Sequence, residues 1–336
     1  MKVSRQSWQF ENTPSIRSSA TTAGPFEAKS KIAHKIDLLY RDLYMEQSSY
    51  EKGHQRMIED AVNILLRKEK QTKDAIDLFI SGDLINQMTP TNFAATKHSI
   101  PFIGLFNACA TTVGSLALSA ALINAQLAES IITGGSSHYA AVEKQFRYPN
   151  EYGAQKPPTS QWTVTGAGFG LISHQKGDAI INRATIGKIA DYKQTDPFNM
   201  GAAMAPAAYD TITTHLKDFG LSLTDYDVIV TGDLGQIGQA ILFDMLEDNG
   251  FAIDRSTFID CGLSIYNDDQ NVFAGGSGSG CSSLYLYSHL LDMIRSNEIS
   301  QCLMIGTGAL LSPLSALQKQ TIPAIAHAVS IKGASL

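Results

Sequence analysis

Cys109 is the residue whose type and position most directly suggest chemistry, because it lies near the start of the apolar stretch NACATTVGSLALSAAL at residues 107–122. A thiol at the start of a helix has its pKa lowered by the helix dipole and by nearby backbone amides, which favours a nucleophile. Free cysteine is also often a small, buried and inert packing residue. The sequence leaves both interpretations of Cys109 open, and we assign Cys261, Cys281 and Cys302 to packing.

Two histidines could act as a base for such a thiol. His138 follows the predicted strand IITGGSS, and His327 lies within the last predicted strand, PAIAHAVSI. Histidine is a common general base near neutral pH, but a buried histidine with hydrogen-bonded ring nitrogens is also a common structural element. For both residues we favour the structural role, with catalysis as the alternative.

The thiol must be positioned by the stretch that follows it, which belongs to a segment without charged residues between Lys97 and Glu129. This length would permit a membrane-spanning helix. The composition argues against one, because lipid-facing helices favour Leu, Ile and Phe over Ala, Gly and polar residues. Small residues allow close packing on all sides, so we predict a helix buried inside the protein. The polar residues that dilute the stretch are Thr111, Thr112, Ser115, Ser119, Asn124 and Gln126.

Two parts of the chain carry the same order of elements. IDLFISGDL resembles YDVIVTGDL further along, so that Asp77 matches Asp227 and Asp83 matches Asp233. Each is an apolar run that ends at a turn, as expected for a buried strand. A turn of small residues leading into an apolar helix, a strand that ends in glycine and a closing strand then follow in both parts. This repetition predicts a duplicated α/β unit.

The duplication divides the chain into an N-terminal half, residues 1–177, and a C-terminal half, residues 178–336. The helix before the first repeated strand is predicted to begin with a capping box formed by Ser48 and Glu51. The proline-containing segment 144–162 has no clear period and is predicted to be a long excursion loop. Such loops in compact domains are often functional.

Composition and charge exclude several classes of function. The 336 residues are 44% hydrophobic and 17% charged, which is ordinary for a globular protein. The net charge of −6 gives little support for binding nucleic acid or anionic lipid directly. The first residues contain no apolar core of a secretory signal, and the cysteine spacings match no zinc or redox motif. We therefore expect reduced thiols in a cytosol-like compartment.

The cysteine turn, the TGAGFG stretch and the duplicated halves resemble the thiolase superfamily, which includes thiolases and the ketoacyl synthases of fatty-acid synthesis. The resemblance implies a thiolase-like five-layered α-β-α-β-α fold built from two duplicated α/β halves. It also implies a homodimer, since members of the superfamily are usually dimeric.

Longer stretches resemble one branch of this superfamily, a group of sporulation proteins of spore-forming bacteria. These stretches are AGPFEAKS, SGDLINQ, SSHYAAVEKQFRYPNEYGAQKP, MGAAMAPAAYDTI, NVFAGGSGSGCS and TGALLSP. The resemblance implies binding of dipicolinic acid (pyridine-2,6-dicarboxylate), which accumulates with calcium in the spore core. It further implies membrane-protein partners at the spore inner membrane, in a complex that moves dipicolinate in during sporulation and out at germination. The chain itself is expected to be peripheral there and soluble in isolation.

The resemblance also implies what an active condensing enzyme would need beside its cysteine: a histidine from the second half, and a histidine or asparagine near a glycine-rich turn. In this chain the corresponding stretches are TGDLGQIG, which contains Asp233, and FAGGSGSGCSS, which contains neither residue type. A carboxylate near a thiol raises the pKa of the thiol. We therefore expect a non-catalytic protein. The alternatives are an acyltransferase or condensing enzyme that uses Cys109 with another base, and a structural subunit with a vestigial pocket.

A flat aromatic dianion needs backbone amides or cations for its carboxylates and an apolar wall for its ring. The expected ligand-binding residues are Cys109, Ala110, Ser136, Ser137, His138, Arg147, Lys156, Asp233, Gly276, Ser277 and Gly278, with Tyr148, Tyr152 and Trp162 as walls. The stretch containing Arg147 could instead face a dimer interface. No cofactor or protein-bound metal is expected, because NDDQN at residues 267–271 lacks the spacing of a calcium loop and is more typical of a solvated turn. Calcium could arrive with the ligand.

Overall fold

The computed structural model describes residues 1–146 and 156–334, in which most strands form one hydrogen-bonded path and two form a separate short pair. The strands are β1 (Ser7–Gln9), β2 (Ser15–Ala23), β3 (Leu38–Leu39), β4 (Leu78–Ser81), β5 (Phe102–Gly104), β6 (Ser130–Ser137), β7 (Trp162–Thr163), β8 (Gly166–Ser173), β9 (Ala179–Ile186), β10 (Val228–Thr231), β11 (Phe258–Asp260), β12 (Gly276–Ser277), β13 (Gln301–Ala309) and β14 (Ala324–Gly333).

The helices alternate with the strands along most of the chain. They are α1 (Tyr50–Glu69), α2 (Thr89–His98), α3 (Thr111–Asn124), α4 (Tyr139–Phe146), α5 (Met200–Phe219), α6 (Gly235–Asp248), α7 (Cys261–Ser264), α8 (Ser279–Tyr285), α9 (Leu291–Arg295) and α10 (Pro313–Leu317). A π-helical stretch, Leu286–Leu290, joins α8 to α9 into one continuous rod.

The strand order shows the duplication directly. In space the first half runs β2-β8-β6-β4-β5 and the second half runs β9-β14-β13-β10-β11. Counted along the chain within each half, both orders are first, fifth, fourth, second, third. The two sheets meet where β2 pairs with β9 over only two residue pairs, Ser15 with Ile180 and Ile16 with Ala179. The predicted boundary between the halves falls in the connection from β8 to β9.

Both faces of each sheet are buried. Successive residues of a strand point to opposite faces, and in these strands both sets of side chains pack in apolar clusters. Along β4, Phe79 packs in the apolar cluster beneath α1 and α2, whereas Ile80 packs in the central cluster with α3. Along β10, Ile229 packs towards α5 and α6, and Val230 towards the centre. The chain therefore forms five layers: outer helices, sheet, central helices, sheet and outer helices. One apolar cluster lies under each outer helix layer, and the third surrounds the central helices and contacts both sheets.

The repeated aspartates at the starts of β4 and β10 have the same structural role. The Asp77 carboxylate accepts hydrogen bonds from the amides of Glu129 and Ser130, where β6 begins. Asp227 binds the two corresponding amides at the start of β13. Each carboxylate fixes the register between neighbouring parallel strands, so the sequence match reflects a shared contact.

The helix after Cys109 is buried, as its composition predicted. Residues 111–117 of α3 are all buried between the two sheets. Within the described parts of the chain, no helix combines the length and apolar character needed to cross a membrane. The cost of placing polar residues here is offset locally: the Ser115 and Ser119 hydroxyls donate to backbone carbonyls one turn earlier in the helix.

The predicted capping box of α1 is wrong in its residue. The helix begins one position later than that box requires, so Ser49 is the N-cap and its hydroxyl accepts a hydrogen bond from the Lys52 amide at 3.3 Å. Ser48 lies outside the helix and its hydroxyl contacts the Lys52 ammonium group. Glu51 forms an ion pair with Lys144 of α4.

Candidate functional site

Cys109 lies in a tight turn between β5 and α3. Ala108, just before it, has a φ of 48°, a left-handed conformation that is uncommon for a residue other than glycine. Residues Ala108–Ala110 form a single 3₁₀ turn that continues into α3. The turn packs closely on β13, where a Cβ atom at Gly308 would lie 2.7 Å from the Asn107 carbonyl oxygen. Cys109 is thereby held at the helix start with 7% of its surface exposed.

Asp233 follows β10 and lies beside the thiol. It is 1% exposed, and its carboxylate accepts hydrogen bonds from the Thr307 hydroxyl (2.7 Å), the Ser277 hydroxyl (2.8 Å) and the Gly278 amide (2.9 Å). The matching residue of the first half, Asp83, instead binds its own turn and α2. The two aspartates share a sequence position but have different roles, and the second is part of the site.

Burial and the neighbouring Asp233 disfavour loss of the Cys109 thiol proton. Because the Ser277 hydroxyl donates to Asp233, its oxygen is left to accept from the Cys109 thiol across an Sγ–Oγ distance of 3.8 Å. Burial raises the pKa of the Cys109 thiol well above its usual value, and the negative charge of Asp233 raises it further. Burial also raises the pKa of Asp233. The arrangement opposes formation of a thiolate.

The two candidate bases are both occupied elsewhere. His138 is fully buried, its Nε2 lies 2.8 Å from the Leu43 carbonyl oxygen, and its Nδ1 accepts from the Ala141 amide. His327 Nδ1 accepts from the Gly187 amide, and its Nε2 lies 3.2 Å from the Asn107 side-chain amide. Burial lowers the pKa of each histidine to about 4.

The second small-residue turn, at the start of α8, packs against the end of β6, and the polar groups of β6 there are hydrogen-bonded within the protein. Gly278 has a φ of 108°, a conformation that L side chains rarely adopt. The Ser137 hydroxyl donates to the Val164 carbonyl and accepts from the Gly280 amide. Ser136 contacts the buried His54 ring at 2.9 Å. Ser136 and Ser137 therefore hold α8 and α1 against β6, and neither lines the cavity described next.

A cavity of about 670 Å³ opens at Cys109 and Ser277 and is the candidate ligand site. That volume is within the range typical of small-molecule pockets. Of the described residues that line it, only Glu143 carries a charge. The other lining residues are Leu84, Phe106, Ala108, Val142, Gln145, Phe146, Thr163, Pro197, Phe198, Met200, Ala309, Leu310, Leu311, Ser312, Pro313, Ala316 and Leu317. An apolar wall of this kind suits the faces of an aromatic ring.

Lys156 lies directly behind the cavity wall. Its ammonium group is 2.9 Å from Glu143 Oε1 and 3.4 Å from the Tyr139 hydroxyl, and its side chain is 2% exposed. It also lies over the ring of Tyr139 at 4.7 Å and over that of Trp162 at 5.2 Å. Those two rings stack at 3.9 Å. Trp162 therefore packs against Tyr139 and Lys156 and is not among the cavity-lining residues.

The predicted site residues are only partly brought together. Cys109, Ser277, Asp233 and Gly278 form one hydrogen-bonded group at the cavity floor, and Lys156 lies behind its wall. Four of the predicted residues are buried away from the cavity wall: Ala110, Ser136, Ser137 and His138. A fifth, Gly276, lies in β12 and pairs with β7. Arg147, Tyr148 and Tyr152 lie outside the described residues, as does the middle of the predicted excursion loop.

Sequence reasoning missed two parts of the wall. Glu143 lies on α4, where Val142 and Phe146 occupy the same face at helical spacing. The spacing of Val142 and Phe146 could have identified this helix. Its last three residues, 144–146, were predicted to be part of the excursion loop. The segment from Leu310 through α10 has no recognisable period, so its place in the cavity could not be derived.

Side chains of the turn NDDQN, at residues 267–271, contact neighbouring parts of the chain. Asp268 pairs with Lys31 at 2.9 Å, and Asn267 and Gln270 hydrogen-bond to the backbone of the turn at residues 26–29. No group of three or more metal-ligating side chains occurs among residues 1–146 and 156–334. A polar surface turn tied to its neighbour accounts for the residue types.

A model of the family described as stage V sporulation protein AD matches residues 4–332. The chain belongs to the stage V sporulation protein AD family. A relative named stage V sporulation protein AD, from Bacillus subtilis (strain 168), is 45% identical over 325 residues, covering 97% of this chain and 96% of the relative. The family membership predicted from the quoted stretches is confirmed, and this is a sporulation protein.

Solved structures of a thiolase and of a 3-oxoacyl-[acyl-carrier-protein] synthase III have a similar fold. Human mitochondrial 3-ketoacyl-CoA thiolase in complex with CoA matches with a TM-score of 0.60 and 13% identity, covering 98% of this chain and all of that chain. The 3-oxoacyl-[acyl-carrier-protein] synthase III of Aquifex aeolicus VF5 matches with a TM-score of 0.58 and 9% identity, covering 95% and 99%. At these identities the likeness concerns the fold alone, and it confirms the predicted thiolase-like architecture.

Proposed function

We propose that the protein is a non-catalytic carrier or receptor for dipicolinate, which binds in the cavity beside Cys109. The observation that carries the proposal is the cavity floor: an open, apolar-walled space ends at a thiol that Asp233 and burial keep protonated. Membership of a sporulation family supports dipicolinate, an aromatic dicarboxylate of spores, as the ligand. Calcium would enter with the ligand and would not need a site built by the protein.

A second candidate function, acyl transfer through Cys109, is favoured only by the fold and by the position of the thiol at a helix start. A nucleophilic thiol needs a base to take its proton and a donor to stabilise the oxyanion. In the described structure, the acidic Asp233 lies beside the thiol, and the ring nitrogens of both candidate histidines are occupied. The geometry therefore supports ligand holding over turnover.

In the cell, we place the protein at the spore inner membrane, held there through membrane-protein partners of one complex. The chain offers an acidic net charge and no spanning helix in its described part. The proposed role is to pass dipicolinate to that complex during sporulation and to receive it at germination. A homodimer, as in the superfamily, is the proposed assembly.

Titration calorimetry with the purified full-length chain tests the proposed ligand. We expect saturable binding of dipicolinate with one site per chain, in buffer with and without calcium chloride. Pyridine-2,6-dimethanol, which keeps the ring but lacks both carboxylates, is the matched control ligand and should bind more weakly. Absence of heat from dipicolinate at millimolar concentration, under both conditions, would exclude the proposed function.

A further inference from the structure

The carboxylate of Glu143 lies between the cavity and the ammonium group of Lys156. Glu143 lines the cavity and is its only charged wall residue among those the structure describes. The cation, Lys156, lies behind it, with Nζ 2.9 Å from Glu143 Oε1. An anionic ligand that enters the cavity therefore meets a carboxylate before it can reach the ammonium group.

Burial makes this ion pair consequential. The Lys156 side chain is 2% exposed and that of Glu143 is 11% exposed, so water screens neither charge effectively. A buried ammonium without a counter-ion is strongly unfavourable, whereas exchanging one carboxylate for another leaves the pairing intact. The ammonium has three donors, and the stacked Tyr139 and Trp162 rings hold its stem and head in place.

We propose that Glu143 is a resident carboxylate that occupies Lys156 in the empty protein and that a carboxylate of the bound ligand replaces it. The exchange would make the cavity selective for carboxylated aromatic molecules. Glu143 would lower the affinity for them, so that the ligand can be released again. This inference rests on the proposed function, and it deepens that function by assigning the residue that sets the strength of binding.

The test is the charge-neutral variant Glu143→Gln, which keeps the size of the side chain. Three probes are compared by calorimetry: dipicolinate, picolinate with one carboxylate, and pyridine-2,6-dimethanol with none. Removing the competing charge should tighten binding of both carboxylates by about tenfold or more. Binding of the neutral diol should stay as it is. Equal or weaker binding of dipicolinate by Glu143→Gln than by the wild-type chain would overturn the proposal.

Two further variants separate a charge effect from a general disturbance. Glu51→Gln removes the half-buried partner of Lys144, the neighbouring residue on α4, and should leave all three affinities unchanged. The double variant Glu143→Gln/Lys156→Gln removes both charges of the pair, so neither of the two is left facing an uncharged partner. It should lose the preference for carboxylates, and a double variant that binds dipicolinate as tightly as Glu143→Gln would overturn the role of Lys156.

The outcomes distinguish this inference from the function on which it rests. If the wild-type chain binds dipicolinate and Glu143→Gln gains nothing, the inference is wrong and the proposed function stands. If the wild-type chain binds no dipicolinate but Glu143→Gln binds the carboxylated probes, the exchange stands and the assigned ligand is wrong. If neither protein binds any of the carboxylates, both are wrong.

Discussion

At the scale of single residues, the carboxylate of Asp233 is the central hydrogen-bond acceptor of the site. Asp233 receives three donors, and the only proton that Cys109 can offer is directed to an oxygen already committed to that carboxylate. Sequence comparison between the halves placed Asp233 next to a turn, and the resemblance to the thiolase superfamily implied that this stretch lacks the histidine of an active enzyme. It could not show that Thr307, from a strand more than seventy positions later, completes the carboxylate's shell, because that contact exists only in the folded sheet.

Cys109 should resist acylation. Loss of a single oxyanion donor typically slows acyl transfer by on the order of a hundredfold, and groups that act as a unit fail together. The raised pKa of the thiol removes the nucleophile as well. Incubation with acetyl- or malonyl-coenzyme A for hours at neutral pH, followed by intact-mass measurement, should show no adduct. Stoichiometric acyl-Cys109 would instead establish the rival enzymatic function.

Substitutions at Cys109 should affect dipicolinate binding by volume and not by chemistry. A serine hydroxyl can replace a thiol that only lines the floor, so Cys109→Ser should keep its affinity within a few-fold of the wild-type value. Cys109→Trp should abolish binding, because the indole would occupy the cavity floor beside Ser277. Calorimetry on both variants, with circular dichroism to verify folding, provides the comparison. Unchanged affinity in a folded Cys109→Trp protein would place the ligand elsewhere.

At the scale of elements, regular patterns were predictable and irregular ones were not. The continuous apolar runs that become β4 and β10, and the small, uncharged residues of α3, are visible in the sequence itself. The start of α1 was misplaced by one residue because Ser48 and Ser49 both suit a cap, and only the backbone geometry selects between them. The wall from Leu310 through α10 was not predictable, because its sequence has no recognisable hydrophobic period.

One irregular turn after β2 should make stability depend on pH. Glu27 is fully buried, where it accepts hydrogen bonds from the Tyr266 hydroxyl and the Thr165 amide. Burial raises its pKa to about 7. The folded protein therefore keeps this proton over a range in which the unfolded chain has lost it. Its contribution to the unfolding free energy falls as pH rises from about 4.5 to about 7, by about 3 kcal/mol at most.

Glu27→Gln removes that titration while preserving an oxygen for the two donors. Relative to the wild-type protein, the variant should gain stability as the pH is raised from 5 to 8, measured by chemical denaturation at each pH. Glu129→Gln, at an exposed position, should show no such trend. Parallel pH profiles for Glu27→Gln and the wild type would mean that Glu27 is ionised throughout. Buried Asp260, whose pKa is also raised to about 7, contributes equally to both proteins and cancels in the difference.

At the scale of the whole molecule, the two halves are inseparable despite their short strand contact. β2 and β9 share only two residue pairs, but β1, from the start of the chain, pairs with β9 of the second half. The central helix α3 packs against β6 of the first half and against β13 and β14 of the second. Folding of either half alone would expose the central apolar cluster, so we expect a single cooperative unit.

The intact protein should not bind plain anionic vesicles. Its net charge is −6, and no helix of its described part can span a bilayer. Electrostatic repulsion from phosphatidylserine is not compensated by an inserted apolar segment. Co-sedimentation with phosphatidylserine-containing vesicles at physiological salt should leave the protein in the supernatant. Quantitative pelleting would show that membrane partners are not required for attachment.

The three donors that converge on Asp233 also bear on how this site could change over generations. Thr307, Ser277 and Gly278 all present hydrogens to residue 233, and an imidazole there would have one acceptor nitrogen at most. A single Asp233→His exchange would therefore strand two buried donors and give Cys109 a poorly oriented base. Placing a histidine at position 233 without this loss of stability would require Thr307 and Ser277 to change as well. The hydrogen bonds that stabilise the cavity floor thus oppose replacement of Asp233 by any single substitution that removes its acceptor oxygens.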